Sequence, residues 1–199
     1  MKRIFFLIIV MTVGQILFAQ DKYLDEGNQY LNNDDNKAAE KVFRKAIKSD
    51  STNSVYQDQL ALALMNQKKY KEAQIVINNV LLIDSTNDGA LWYGGMNTFQ
   101  DENADLRTAV HYFEKFLQHS KESEGQYYSA NWFIGRSYQI LLQTDGLTYN
   151  EVTRMLDCYS TYLRLQPQAD DAATISAFVQ HIKEIRPSDN VKKWINKTQ

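Results

Sequence analysis

Asp50-Ser51-Thr52-Asn53 recurs as Asp84-Ser85-Thr86-Asn87, displaced by 34 residues in a chain of 199. Each copy follows a run of apolar residues, so the recurring unit is larger than the four identical positions. Self-similarity at a fixed period of this length is typical of repeat architectures. The sequence therefore predicts a protein built from stacked supersecondary units.

The runs before these turns carry a helical pattern. Counted from Ala39, Ala73, Ala109 or Met155, apolar residues recur three, four, seven and eight positions later. That spacing places them on one face of an α-helix. A second helix with small or apolar inner residues precedes each run, such as the one around Gly135. The chain is thus expected to contain four helix pairs.

The pattern resembles the tetratricopeptide repeat family. The family signature of glycine, tyrosine, alanine, phenylalanine and alanine stands as Gly27, Tyr30, Ala39, Phe43 and Ala46. The second copy keeps it in weaker form as Ala61, Leu64, Ala73, Ile77 and Val80. The resemblance implies an all-α fold, an α-α superhelix (a tetratricopeptide-repeat solenoid) of about four helix-turn-helix repeats with a C-terminal capping helix.

The repeat period divides the chain into a tetratricopeptide-repeat domain over 20–187 and a C-terminal tail over 188–199. The last two units are longer, and their extra residues are assigned to polar loops around 101–105, 120–125 and 144–149. The capping helix is expected to bury Ile175 and Phe178 and to expose Asp171. The predicted repeats and cap cover 20–53, 54–87, 88–123, 124–167 and 168–187.

The first residues are typical of an export signal. Lys2 and Arg3 precede an apolar stretch over 4–18, and Ala19 ends it. We expect a signal peptide over 1–19 and an exported, periplasmic or secreted protein. The alternative is an uncleaved anchor, although the stretch is shorter than the roughly 20 residues of a spanning helix. No later stretch could span a membrane, so the chain after signal cleavage should have no integral membrane segment.

Charge and cysteine content exclude several classes of protein. The chain from Gln20 onward carries 20 basic and 24 acidic side chains, a net charge of −4, so nucleic acid is not an expected partner. Cys158 is the single cysteine, which leaves no internal disulfide. It shares the apolar stripe position of Val42 and Val76 and is expected in the core. The fold must therefore be stabilised by packing.

The family resemblance implies a peptide-binding groove lined by the first helix of each pair. Aromatic and methionine side chains favour the carboxyl end of this groove as the stronger binding surface. Trp92 could instead belong to the core, if the third repeat were shifted by one residue. The groove positions carried over are Asn28, Leu31, Asn32, Leu62, Met65, Asn66, Trp92, Met96, Phe99, Gln100, Trp132, Arg136 and Gln139.

Nothing in the sequence favours catalysis. His111, His119 and His181 belong to no metal motif, and no glycine-rich phosphate loop follows a strand. We expect no enzyme, no cofactor and no metal site. The expected function is a scaffold or adaptor that binds a partner protein or peptide, in a cell-envelope complex or as a client escort. A permanent structural subunit of such a complex is the alternative.

Overall fold

The computed structural model describes residues 22–103 and 105–196. The predicted signal peptide therefore lies outside the described residues. Within them the secondary structure is helical and no strand is formed. The helices are α1 (22–32), α2 (Asn36–Ser49), α3 (Ser54–Asn66), α4 (Tyr70–Ile83), α5 (Asp88–Gln100), α6 (Leu106–His119), α7 (Gly125–Thr144), α8 (Tyr149–Leu165) and α9 (Ala172–Ile185).

The helices form two compact units, divided after Ser85. In the first unit α3 packs against both α2 and α4. In the second, α6 packs against α5 and α7, and α8 packs against α7 and α9. Each unit is therefore a stack of neighbouring helices, and the all-α prediction is confirmed. Among the described helices none is long and apolar enough to cross a membrane.

The recurring tetrapeptide is the joint between repeats. Its aspartate ends one helix: the Asp50 and Asp84 amides make the last helical hydrogen bonds, to the carbonyls of Ala46 and Val80, and the backbone of both aspartates is extended. Its asparagine begins the next helix, since the Asn53 side chain accepts a hydrogen bond from the Val55 amide. Asn87 does the same for Ala90. Both asparagines thus accept a hydrogen bond from an amide that has no partner within the first turn of its helix, which explains why the turn recurs.

Small residues let the paired helices approach closely. A Cβ added to Gly27, Gly95 or Gly135 would collide with the ring of Phe43, Phe113 or Tyr159, respectively. The three contacts are equivalent, with a glycine of the first helix lying under an aromatic ring of the second. Gly95 thus takes the same place as Gly27 and Gly135, which supports the unshifted register of the third repeat.

The sequence predicted that the extra residues of the fourth repeat lie in loops. This is wrong in part, because some of them lengthen its two helices. α7 has 20 residues and α8 has 17, against 13 and 14 in α3 and α4. The added turns of α7 carry Leu141 and Leu142, which are buried. Burial of these apolar side chains favours continued helix over loop.

The residues after α9 fold back onto the second unit. Trp194 and Leu147 form an isolated antiparallel bridge, with two backbone hydrogen bonds of 2.8 Å. Lys193 Nζ pairs with Asp145 Oδ1 at 2.8 Å. The Arg186 guanidinium lies 4.0 Å from the centre of the Tyr149 ring. We call the residues over 187–196 the returning tail.

Candidate functional site

The groove positions of the first unit are distributed over α1 and α3. Asn28, Leu31 and Leu62 are half-buried, whereas Asn32 and Asn66 are exposed. Asn66 Nδ2 donates to Asn36 Oδ1 at 2.8 Å. These side chains stand on the first helices of their pairs, which is where the family resemblance placed them.

Met65 requires a correction. It was placed in the groove, but its side chain is only 2% exposed and cannot meet a partner. α3 is flanked by α2 and α4, and its apolar run through Leu64 and Met65 is enclosed on most sides. The helix has buried residues all round, so sequence periodicity gives little guide to its exposed face.

The groove positions of α5 border a cluster of aromatic rings in the second unit. The Trp92 ring centre lies 5.6 Å from that of Phe113 and 5.5 Å from that of Phe116. Phe99 lies 5.0 Å from Phe133, and Trp132 lies 5.1 Å from the same ring. Trp92 is half-buried, so it packs in this cluster and keeps part of its surface open. Met96 is also half-buried and Gln100 is exposed.

The groove positions of α7 open into a cavity. Trp132, Arg136 and Gln139 line an open space of about 300 Å³ between α7, α8 and α9. Tyr159 of α8 forms its floor, being 1% exposed. Side chains of α9 and its N-terminal flank complete the lining, namely Asp171, Thr174, Ile175 and Phe178. We call this space the α7–α9 pocket.

Hydrogen bonds fix the walls of the α7–α9 pocket. Asp171 accepts one from Trp132 Nε1 at 2.8 Å and one from the Tyr162 hydroxyl at 2.7 Å. Gln139 Oε1 accepts one from the Tyr159 hydroxyl at 2.6 Å and one from Arg136 at 3.1 Å. Four hydrogen bonds therefore hold these six side chains in place before any ligand arrives, which lowers the entropy cost of binding.

Burial changes the acid–base behaviour of these groups. Burial raises the pKa of the Tyr159 hydroxyl, and burial together with donation to Asp171 raises the pKa of Tyr162 to about 12. Both phenols thus stay protonated at neutral pH and act as hydrogen-bond donors. Arg136 is exposed, so the pocket presents a cation at its edge.

The contribution of α9 was missed in the sequence analysis, which expected Asp171 on an exposed face. Asp171 is half-buried because it bonds side chains of both α7 and α8. One signal was available, since α9 follows a fourth complete pair and so occupies the place of another first helix. A groove lined by first helices would continue onto it.

The chemistry of the pocket suits recognition. Trp132, Ile175 and Phe178 offer apolar surface, while Arg136, Gln139 and Thr174 offer polar contacts. Within the described residues no three histidine, cysteine, aspartate or glutamate side chains are grouped to hold a metal ion. The lining resembles ligand sites that are mostly apolar with a few placed polar groups.

Comparison with known proteins supports this description of the fold. Residues 23–53 match the family model described as tetratricopeptide repeat. The chain superposes on the crystal structure of MamA with a TM-score of 0.65 and 18% identity, covering 84% of each chain. Its fold is that of tetratricopeptide-repeat proteins.

Two further tetratricopeptide-repeat structures agree. MamA 41-end from Desulfovibrio magneticus RS-1 gives a TM-score of 0.62 at 14% identity, covering 85% of this chain and 98% of that one. YrrB, described as a TPR protein with an unusual peptide-binding site, gives 0.56 at 17% identity, covering 82% and 73%. No curated protein matches the sequence. The structural likeness therefore concerns the fold, and no catalytic family is indicated.

Proposed function

We propose that this protein is an adaptor that binds a peptide segment of a partner protein, with the α7–α9 pocket as its anchoring point. The observation that carries the proposal is the open pocket of about 300 Å³, lined by apolar and polar side chains on α7, α8 and α9. The peptide-binding site named for YrrB, which shares the fold, supports a peptide as the ligand.

The binding mode follows from the lining. A large apolar side chain of the partner would contact Trp132 and Phe178, while Arg136 and Gln139 would bond its backbone or polar groups. Burying such an anchor in a preformed pocket commonly supplies much of the binding energy at an interface. Phe99 of the same unit, whose ring centre lies 6.3 Å from that of Trp132, would then extend the contact.

The signal-like residues 1–19 place this adaptor, in our proposal, in the cell envelope or outside the cell. There it would scaffold a multiprotein complex or escort a client. The support is the charged start and apolar stretch of the sequence. A permanent structural subunit would need no reversible pocket, so dissociation of the bound partner separates the two roles.

The test begins with a photo-crosslinking amino acid placed at Thr174, which lines the pocket, and in parallel at Ala173. Ala173 is an exposed neighbour that does not line it. A partner captured from Thr174 alone is identified, and its crosslinked peptide is synthesised. Binding of that peptide is then measured with the purified protein.

The decisive variant is Thr174→Trp, which fills the pocket without removing a packing contact, and its matched control is Ala173→Trp. We expect the first to weaken peptide binding by at least about tenfold and the second by less than about twofold. Equal binding by both variants would place the peptide elsewhere. A partner that never dissociates would favour the structural subunit.

A further inference from the structure

The outer surface of α4 exposes large aliphatic side chains. Ile75 is 62% exposed, Leu82 is 83% exposed and Ile83 is 80% exposed. The spacing of seven residues places Ile75 and Leu82 on one face of the helix, and Ile83, the last residue of α4, follows Leu82 directly. Single exposed aliphatic residues are common in folded proteins, but a grouped set marks an interaction surface more often. The grouped exposure therefore indicates that this face of α4 is a binding surface.

The neighbouring helix α2 exposes a row of lysines. Lys37, Lys41, Lys45 and Lys48 are all exposed and are spaced by four, four and three residues, so they share one helix face. Lys45 lies 5.7 Å from the Tyr23 ring. Within the described residues no carboxylate forms an ion pair with any of the four. Their positive charge is therefore available to an external anion.

The two rows stand side by side. The repeat displacement of 34 residues equates Lys41 with Ile75 and Lys48 with Leu82, so both rows occupy the same outward positions of successive second helices. Ion pairs join the facing flanks of the two helices, Arg44 to Glu72 at 2.9 Å and Glu40 to Lys69 at 2.8 Å. With those flanks turned toward each other, the lysines, Ile75 and Leu82 are left on the outer side, and Ile83 is exposed at the C-terminal end of α4.

We propose that this surface, the α2–α4 outer face, docks on an anionic phospholipid bilayer. The lysine ammonium groups would meet headgroup phosphates, while Ile75, Leu82 and Ile83 would enter the boundary with the acyl chains. The charged row and the exposed aliphatic residues together match the two layers that a peripheral protein meets at such a bilayer, anionic headgroups and the boundary of the acyl chains.

This docking concerns the first unit and is independent of the α7–α9 pocket. It needs no spanning segment, because a peripheral surface binds through charge and shallow insertion. It also predicts sensitivity to ionic strength, since the attraction of exposed lysines is screened by salt.

The first experiment measures co-flotation of the full chain with vesicles. One set contains phosphatidylcholine with phosphatidylglycerol, and the other contains phosphatidylcholine alone. We expect binding to the anionic set only, with a loss of at least about tenfold in the triple variant Lys37→Gln, Lys41→Gln, Lys48→Gln. Leu82→Gln with Ile83→Gln should give a comparable loss on the same vesicles.

A matched control has the same change in formal charge. Lys121→Gln, Lys183→Gln and Lys192→Gln remove three exposed lysines of the second unit and should leave vesicle binding within about twofold. All variants retain residues 1–19, so any attraction through that stretch is common to them. Equal losses in both triple variants would reduce the effect to net charge and overturn the proposal.

The second experiment locates the contact. A polarity-sensitive dye is attached at Ile83→Cys, or at the exposed α9 position Gln180→Cys, in a Cys158→Ala background. Anionic vesicles should shift the dye emission to the blue at position 83 and leave it unchanged at position 180. An unshifted dye at 83 would overturn the proposal, as would lysine-dependent capture of an acidic protein without vesicle binding.

Discussion

Gly135 illustrates how closely a single position is constrained. An added Cβ would lie 2.6 Å from the Tyr159 ring, which is 1% exposed and tied through its hydroxyl to Gln139. Because the ring cannot withdraw, we expect Gly135→Ala to lower the free energy of unfolding by about 1–3 kcal/mol. Urea denaturation measures this change.

Gly125→Ala is the control for that substitution. Its added Cβ would meet nothing closer than 3.8 Å, at the Tyr128 ring. Alanine favours helix over glycine by up to about 1 kcal/mol, so this variant should be neutral or slightly more stable. If both substitutions lowered the free energy of unfolding equally, the loss would come from the backbone conformation of glycine and not from the close approach of the two helices.

Cys158 lies in the apolar stripe, as expected, with no exposed surface. Burial raises the pKa of its thiol to about 12, from an ordinary value of 9.0. The reactive thiolate is therefore scarce, and we expect a bulky maleimide to label the native protein far more slowly than the urea-unfolded chain. Rapid native labelling would contradict this burial.

Loss of the same thiol should have a measurable pH signature. Cys158→Ala is expected to cost about 1 kcal/mol at neutral pH, by removing a small packed group. In the wild type, only the unfolded chain ionises the thiol readily between pH 9 and 12, so stability falls as the pH rises through that window. In Cys158→Ala that fall should be shallower.

Sequence reasoning succeeded where a side chain's role depends on its own helix. The signature positions Ala39, Phe43 and Ala46 are all fully buried, as their spacing predicts. It failed at Met65 and Asp171, whose exposure depends on what neighbouring helices cover. Periodicity describes one helix at a time, and α3 has no strongly polar face to fix its orientation.

Helices α2 and α4 are joined by ion pairs around Glu40. Partial burial would raise the pKa of Glu40, but hydrogen bonds from Lys69, Arg44 and Gln67 outweigh it and lower the pKa to about 2. Because the unfolded value is near 4.5, the stabilisation is complete above that pH and is lost as the pH falls toward 2.

Glu40→Gln should therefore cost about 1–2 kcal/mol at neutral pH and flatten the acid side of the stability curve, after allowance for screening of its exposed partners. Urea titrations at several pH values test this. Glu72→Gln is the control, because its side chain is 54% exposed and a single exposed pair contributes little. An unchanged acid slope in Glu40→Gln would contradict the assigned pKa.

The repeat joints were the most predictable elements. Asp50 and Asn53 were visible as a recurring turn, and the structure assigns them the end of one helix and the beginning of the next. The lengthening of α7 was not predictable in the same way, since no recurring motif marks its end. Burial of Leu141 and Leu142, which decides it, arises from packing on neighbouring helices.

For the molecule as a whole, a destabilising substitution in one of the two compact units should reduce hydrogen-exchange protection more in that unit than in the other. Phe43→Ala opens a cavity beside Gly27 in the first unit and should cost about 3–5 kcal/mol. Because a helical repeat contacts mainly its neighbours, hydrogen exchange should show protection lost chiefly in α1 to α4. Equal loss in both units would indicate a single cooperative unfolding transition.

The repeat period predicted the helical architecture but not the division after Ser85, because both units share the same local pattern. The α7–α9 pocket was predicted in part. Trp132, Arg136 and Gln139 came from the family resemblance, whereas Thr174 and Phe178 depended on where α9 docks.

The returning tail changes how the second unit can fray. Stacked helical arrays ordinarily open from their ends, since a terminal helix has one neighbour only. Here Trp194 pairs with Leu147, which lies 47 positions earlier in the chain. This separation in sequence exceeds the 34 residues between equivalent positions of the first two repeats. α9 is thus tethered beyond its C-terminal end as well as joined to α8, and peeling it away requires breaking the bridge. The chain between Leu147 and Trp194 is thus a closed loop: its closure costs conformational entropy and is slow, while the two backbone hydrogen bonds and the Lys193–Asp145 ion pair oppose its opening.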